Sequence, residues 1–405
     1  MTQGAVARRG LVLACLALAA TAAAAAERRV VPHGRLETLG GYPVVSVDGT
    51  PEQMGTAYGT LLAPLIQRVV KAVITDGVAS DPEARTNLLA GSQVMARFQP
   101  RDYIAELKAI AAAARVPYDD LLLLQYFGDV RRCITGTGRS MFCTSFAVLP
   151  PLARGRRCIV GRNFDYFDEG VGEYASLLAY YRPRGRIPFV TVTWAGVVNG
   201  WTLLNERGIA VSNNTAFGAR ANSLEGISTC FMLRVVAERA ATVKEGVALV
   251  RKGPRACGTN MLIASGTPPD GVIIEFDHAK LAVRRPDKGF VGAANSYFTL
   301  YQEGWGDLDP YWGRIGTARD MALKHRGRVD LSCNLAGAEG VPIESMNLHS
   351  VLLDATALRL RIAMGKIPAC KLPYRAFRLT KTGLVAELRG NQPPAQAKET
   401  PNERP

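Results

Sequence analysis

From Cys143 onward the chain is cut into strand-length pieces, and this texture limits the folds open to it more than any other feature. "TSFAVL", "RCIVGRNF", "FVTVTWAGV", "WTLLN", "GIAVSNN", "NMLIAS", "GVIIEF", "LAVRR" and "GFVGAANS" are short, rich in β-branched residues, and bounded by Gly, Asn or Pro. Before Cys143 the pattern is helical, from about Tyr42 to Val130. "TPEQMGTAYGTLLAPLIQRVVKAVI" opens with a Thr-x-x-Gln cap at Thr50 and Gln53, and "RDYIAELKAIAAAARV" and "YDDLLLLQYFGDVRR" continue the helical period. Two helical stretches, "TCFMLRVVAERAATVKEGVALVRK" and "YWGRIGTARDMALKH", interrupt the strands, and "HSVLLDATALRLRIAMG" reads as a hairpin around Asp354. The expectation is an α+β fold in which helices cover a largely antiparallel pair of sheets.

The ends of the chain speak to its compartment. Arg8 and Arg9 precede the apolar run "GLVLACLALAATAAAAA", which exits through small residues, the pattern of a secretory signal cut after Ala26. "ARRGLV" is also similar to a twin-arginine signal. Cys15 raises a lipoprotein anchor, but the apolar run continues well past it. No second apolar segment is long enough to span a bilayer, so the expected location is periplasmic or secreted. The tail "NQPPAQAKETPNERP" is polar and proline-rich and is expected to be disordered. A net charge of +14 favours anionic ligands. The basic residues are dispersed, however, and no nucleic-acid-binding signature accompanies them.

Beyond Cys15 there are seven cysteines, Cys133, Cys143, Cys158, Cys230, Cys257, Cys333 and Cys370, and none forms a Cys-x-x-Cys pair. Neither a zinc site nor an organic cofactor is expected. An exported chain forms disulfides. Seven is odd, so at least one thiol stays free; if that is Cys143, six remain and up to three bridges are open.

The chemistry gathers in "SMFCTSFAV" and "GRNFDY". A cysteine nucleophile ordinarily takes a histidine as base, yet none of His33, His278, His325 and His349 sits in a Cys-His protease signature. A nucleophile at the start of a chain needs no histidine. Its own α-amine, with an ordinary pKa of about 7.7–8.0, accepts the thiol proton. That arrangement requires cleavage of the Phe142–Cys143 bond, and the polar connector "ITGTGRS" would expose it. Asp165 is placed to hold the new amine, and Arg162 to favour the thiolate.

"CTSFAV" followed by "GRNFDY" resembles the N-terminal-nucleophile (Ntn) amide hydrolases. The similarity is to the acyl-CoA:6-aminopenicillanic acid acyltransferase (peptidase C45-like) family, with acid ceramidase and choloylglycine hydrolases as more distant relatives. "VDGTPEQMGTAYGTLLAPLI", "YIAELKAIAAAARVPYDDLLLLQ", "LLNERGIAVSNN", "GTNMLIAS", "AANSY" and "HSVLLDATALRLRIAMG" are similar to family segments in the same order, over about residues 41 to 380. Ala109 and Ala112 stand where the family has glycines. Phe142 departs from the glycine after which the acyltransferase cuts.

The resemblance implies an αββα sandwich, made of a helical α-chain and a β-chain that starts at Cys143. It implies Cys143 as nucleophile, with Arg162 and Asp165 as its positioning pair. Asn214 would be a polar oxyanion contact, with Asn213 the fallback, and Asn295 an amide donor to the tetrahedral intermediate. Arg314 would match the first arginine of a Ser-x-x-Arg-x-x-Arg helix, with the register slipping before Arg319. The expected organisation is a signal peptide over 1–26, the α-chain over 27–142, the β-chain over 143–390 and the tail over 391–405.

The expected function is an exported, autoproteolytic cysteine hydrolase of a linear, non-peptide C–N amide bond in a small-molecule N-acyl substrate. Its one protein partner would be its own cleaved α-chain. Acyl transfer to an amine and a ceramidase-like lipid amidase are the enzyme alternatives. A binding protein that has lost catalysis on the same scaffold is the non-enzyme one.

Overall fold

The computed structural model describes residues 28–136, 142–301 and 313–387. The expected leader, the expected tail and residues 137–141 of the connector lie outside the described residues.

Three strands open the chain: β1 (Arg29–Val31), β2 (Gly34–Leu39) and β3 (Tyr42–Gly49). The helical span expected from Tyr42 therefore starts at Pro51. In "YPVVSVDG" Val44 turns to one face of its sheet while Val45 and Val47 turn to the other, a period of two that a helix cannot satisfy. Four helices follow: α1 (Pro51–Val69), which runs on into a π-helical stretch over Val70–Val78, then α2 (Pro82–Ala96), α3 (Arg101–Ala114) and α4 (Tyr118–Thr135). The Thr50 cap forms as the spacing predicts. Gln53 N–H donates to the Thr50 hydroxyl at 3.3 Å and Thr50 N–H to Gln53 Oε1 at 2.9 Å, a box that stabilises a helix start by about 1 kcal/mol.

Next come β4 (Phe142–Val148), β5 (Ile159–Asp165), the one-turn α5 (Gly172–Ala175), β6 (Ser176–Pro183), β7 (Phe189–Trp194), β8 (Thr202–Asn205) and β9 (Ile209–Thr215). The first long helical stretch divides into α6 (Thr229–Arg239) and α7 (Val243–Lys252), where Thr242 caps a new helix through Glu245 N–H. Strands β10 (Thr259–Gly266), β11 (Pro269–Phe276), β12 (Leu281–Arg284) and β13 (Phe290–Ala293) precede α8 (Gly313–Lys324). The expected hairpin is β14 (Asn347–Asp354) and β15 (Arg359–Met364). A further hairpin, β16 (Arg375–Thr380) and β17 (Gly383–Ala386), follows it.

The strands form two sheets. One has ten strands in the order β1-β2-β3-β6-β7-β8-β9-β10-β11-β12, and the other seven in the order β13-β4-β5-β14-β15-β16-β17. Among the described strands only β3 and β6 run parallel. Val160, Val351 and Ile362 of the small sheet meet Val192, Leu204 and Leu262 of the large one in a shared apolar layer. The other face of the large sheet carries α1, α3, α4, α6 and α7, through residues such as Leu61, Leu107, Leu123 and Leu233. The other face of the small sheet carries α8, where Ile315, Ala318 and Ala322 pack on Phe146, Ile159 and Leu352. Helices, sheet, sheet and helix make the α+β, αββα sandwich that the motifs imply.

Two contacts fasten the helical layer. A Cβ on Gly55 would sit 2.4 Å from Glu106 O, and one on Gly59 would sit 2.7 Å from Ile110 O, so both glycines let α1 lie directly on the backbone of α3. Arg234 of α6, fully buried, pairs with Glu106 of α3 at 2.6 Å and with Glu238 at 2.8 Å, between the rings of Tyr103 and Tyr181. Among the described residues no helix is long and apolar enough to cross a membrane.

Candidate active site

Strand pairing between β4 and β5 builds the centre of the site. Cys143 lies opposite Phe164 and Ser145 opposite Arg162. On the far side of β5, His349 lies opposite Phe164 and Val351 opposite Arg162. These side chains share the face that looks toward the large sheet, because alternate residues of a strand point the same way. Asp165, three residues beyond Arg162, turns instead toward α8 and the segment leading into β14.

The Cys143 thiol is fully buried. Burial pushes its pKa up. The Arg162 guanidinium and the Asp165 main-chain N–H work against that shift, and the Asp165 carboxylate adds to it. Arg162 is itself fully buried. Its Nη1 donates to Asn214 Oδ1 at 2.8 Å and to Asn163 O at 2.9 Å, while Nε and Nη2 have no hydrogen-bond partner among the described residues. Two unpartnered N–H groups on a buried cation point to an anion or a polar reacting group at that place, since leaving them unused is costly.

Asn214 supports that cation. Its Oδ1 also accepts from the Ser145 hydroxyl at 2.8 Å, and its Nδ2 donates to Ala293 O. Asn214 thereby holds β9 and Arg162 together, and its Nδ2 keeps a second hydrogen beyond the one given to Ala293 O. The fallback, Asn213, is buried but lies on the opposite face of β9; among the described residues neither its Nδ2 nor its Oδ1 has a hydrogen-bond partner.

Asn295 and Arg314 meet at the backbone of Cys143. Cys143 N–H donates to Asn295 Oδ1 at 3.1 Å, and Asn295 Nδ2 donates to Thr215 O at 2.7 Å. Arg314, from the first turn of α8, donates to Cys143 O at 3.0 Å, to Thr144 Oγ1 at 2.9 Å and to Asn295 Oδ1 at 2.8 Å. Its Nη1 also lies 3.6 Å from Asp165 Oδ2. Arg319 instead lies 3.5 Å from its neighbour Asp320. The arginine that faces the site is Arg314.

Asp165 accepts from Asn347 Nδ2 at 2.7 Å and from Ile343 N–H at 3.0 Å. Burial raises its pKa to about 6, against these donors and the charges of Arg314 and Arg162. Asn347 and Ser145 are site residues that the sequence reading missed. The one signal for Asn347 is a polar residue entering a strand, and its meaning depends on a partner 182 residues away.

His349 is no base for Cys143. It is buried, shares a 2.8 Å hydrogen bond with Thr202, and has its pKa held well below the usual value by burial and then by Arg162. Among the described residues no three His, Cys, Asp or Glu side chains come together as a metal site.

A cleft with about 70 Å³ of free space opens beside Phe164, the residue opposite Cys143. One wall is aromatic. Trp201 stacks on Phe164 at 4.4 Å, and Trp194 meets Trp201 edge-on at 5.2 Å. The other wall is α4, through Leu124, Phe127, Gly128, Asp129 and Arg132. Phe142, half-buried, rests edge-on against Phe217 with ring centroids 5.5 Å apart.

Comparison with known proteins adds three relationships. An uncharacterized protein of Archaeoglobus fulgidus is 25% identical over 282 residues, covering 63% of this chain. This chain spans about half of that relative's length, 47%. Among solved structures, a Caenorhabditis elegans ortholog of N-acylethanolamine-hydrolyzing acid amidase aligns with 17% identity and a TM-score of 0.43, over 53% of this chain and 93% of that one. Penicillin V acylase from Agrobacterium tumefaciens aligns with 15% identity and a TM-score of 0.41, over 59% and 86%. Arg162, Asp165, Asn214, Asn295 and Arg314 lie within a stretch that matches a family model, and Cys143 lies just ahead of it. Residues 153–319 match the model of the acyl-coenzyme A:6-aminopenicillanic acid acyl-transferase family, the one the motifs resemble.

Proposed function

We propose that this chain is an exported cysteine amide hydrolase that activates itself by cutting the Phe142–Cys143 bond. The family match indicates amide-cleaving, acyl-transferring chemistry in coarse terms. The observation that carries the finer reading is the grip on residue 143. Asn295 holds its N–H and Arg314 its carbonyl oxygen, and the buried thiol sits beside an arginine with unused donors.

In self-cleavage the Cys143 sulfur attacks the carbonyl carbon of Phe142. The C–N bond breaks, the nitrogen takes the thiol proton, and water hydrolyses the thioester to free Phe142 as a carboxylate. The nitrogen held by Asn295 is then an α-amine. In turnover that amine takes the thiol proton, the sulfur attacks the acyl carbonyl of a linear amide, and the leaving amine takes the proton. Water resolves the acyl-enzyme. Arg162 stabilises the developing charge on sulfur, Asn214 positions Arg162, and Asp165 with Arg314 orients the new amine. Asn295 Nδ2 is assigned to the tetrahedral oxyanion, where one such donor is worth roughly 10²–10³ in rate.

The aromatic cleft fits the acyl half of an N-acyl substrate, because it is the apolar space next to the nucleophile. Hydrolysis is favoured over acyl transfer, since an exported enzyme meets water more readily than an activated acyl donor.

Intact mass under reducing conditions tests this, alongside the Cys143→Ala variant. Two fragments, the larger starting at Cys143 and absent from the variant, are expected, followed by turnover of N-acyl amides. A single uncut chain in both would overturn the mechanism.

A further inference from the structure

A second pair of side chains bridges the same cut. Cys133 stands in the last turn of α4, and Cys257 in the short segment between α7 and β10; their sulfurs are 3.4 Å apart. Among the described residues no other two sulfurs come within hydrogen-bonding reach. The pair sits in a docked joint. Arg132, next to Cys133, donates to Gly258 O, next to Cys257, and the Cys257 thiol points to Asp129 O at 3.5 Å. Closing the gap to a bond of about 2.05 Å needs only a small movement of two side chains already held face to face. Cys133 is partly exposed and Cys257 buried, so an oxidant reaches the pair from the Cys133 side.

We infer that Cys133 and Cys257 form a disulfide that keeps the two chains covalently joined after cleavage at Cys143. The joining role rests on the self-cleavage proposed above; the bond itself does not. The step is an exchange with an organic disulfide. The Cys133 thiolate attacks it and releases one thiol. Cys257 then attacks the mixed disulfide and releases the second. Two protein thiols are oxidised, and one disulfide is reduced to two thiols. The reaction suits the oxidising compartment implied by the expected leader.

The bond would do more than hold two pieces together. Once the chain is cut, α4 belongs to a fragment that ends at Phe142, and its last turn lies close to that new end. Phe127, Gly128, Asp129 and Arg132 of the same helix line the cleft. Anchoring Cys133 fixes this wall against strand and loop residues of the other fragment.

The test uses the full chain, oxidised with glutathione disulfide and then treated with N-ethylmaleimide before denaturation. Without reductant, a single species containing both fragments is expected, two mass units below their sum, and with reductant two separate fragments. Peptide mapping should find Cys133 joined to Cys257. Cys133→Ser should give separate fragments without reductant, with turnover that survives at first and is lost faster on dilution into urea. The uncut Cys143→Ala variant should still yield the Cys133–Cys257 peptide, so failure to cut and failure to bridge are read separately. Maleimide on both cysteines after oxidation would overturn the inference, as would fragments of the unmutated chain that part without reductant.

Discussion

Arg314 and the main-chain oxygen of Cys143 are joined by a 3.0 Å hydrogen bond, so α8 holds residue 143 by its backbone. The same guanidinium reaches Asn295 Oδ1 at 2.8 Å, which places one cation against both groups that hold residue 143. Arg314→Ala should slow self-cleavage and turnover by roughly 10²–10³, read as the fraction cut against time by intact mass. Arg319→Ala should stay within about twofold of the unmutated rate, since such exposed ion pairs contribute little. Equal losses in the two variants would remove Arg314 from its assigned place.

Asp165 gives the site a pH signature. Burial lifts its pKa to about 6, so its carboxylate is charged only above that pH. Cleavage and turnover should rise as pH passes through about 6, and Asp165→Asn should lose that limb. Stability moves the other way. The folded state binds the Asp165 proton more tightly than the unfolded state, so the contribution of this group is full below the ordinary carboxylate range. It is lost as pH rises through about 6. Melting temperatures across pH 4 to 8, with Asp165→Asn as reference, would show this opposition. An activity limb unchanged in the variant would exclude Asp165 as its source.

Gly128 separates fold from substrate fit. A Cβ there meets nothing within 4 Å, although the residue sits within α4 on the wall of the cleft. Gly128→Leu should leave the melting temperature unchanged or higher, since leucine exceeds glycine in helix propensity by nearly 1 kcal/mol. Its side chain should occupy acyl space and raise KM for aromatic or long acyl amides about tenfold, sparing acetyl amides. A uniform change across acyl lengths would place the acyl group elsewhere.

The buried trio around Arg234 carries a stability prediction. Glu106→Ala leaves that guanidinium with Glu238 and the Val198 carbonyl as its hydrogen-bond acceptors among the described residues. A loss of about 3–5 kcal/mol is expected on breaking such a pair, measured as a shift of the urea midpoint. A loss below about 1 kcal/mol would mean that water reaches Arg234.

Local pattern made much of this site legible, because Cys143, Arg162 and Asp165 lie on two strands adjacent in sequence and their spacing follows from one hairpin. Asn295 and Arg314 were singled out through motif order, and both contact the backbone of Cys143. The orientation of the Asn214 amide was not readable, since it depends on Ala293 O and Ser145, which only the packed sheets bring near. The α4 wall of the cleft was equally hidden. Its helical period reports a buried face, not which turn of it a strand leaves uncovered. Strands β1 and β2 escaped notice because they form a half-exposed edge, where "GRLETL" carries no alternation of buried and exposed residues. The β16–β17 hairpin is a similar edge at the far side of the other sheet.

The parallel pairing of β3 with β6, Val44 against Leu178 through Gly49 against Pro183, sets strands from before and after Cys143 side by side. Under the proposed cleavage, the boundary between the two products would run inside a hydrogen-bonded sheet, between its third and fourth strands. The continuous polypeptide would then serve as the template on which its later halves are fitted together. Under that proposal assembly would come first and scission second, because closing the seam costs less entropy while its two edges are tethered.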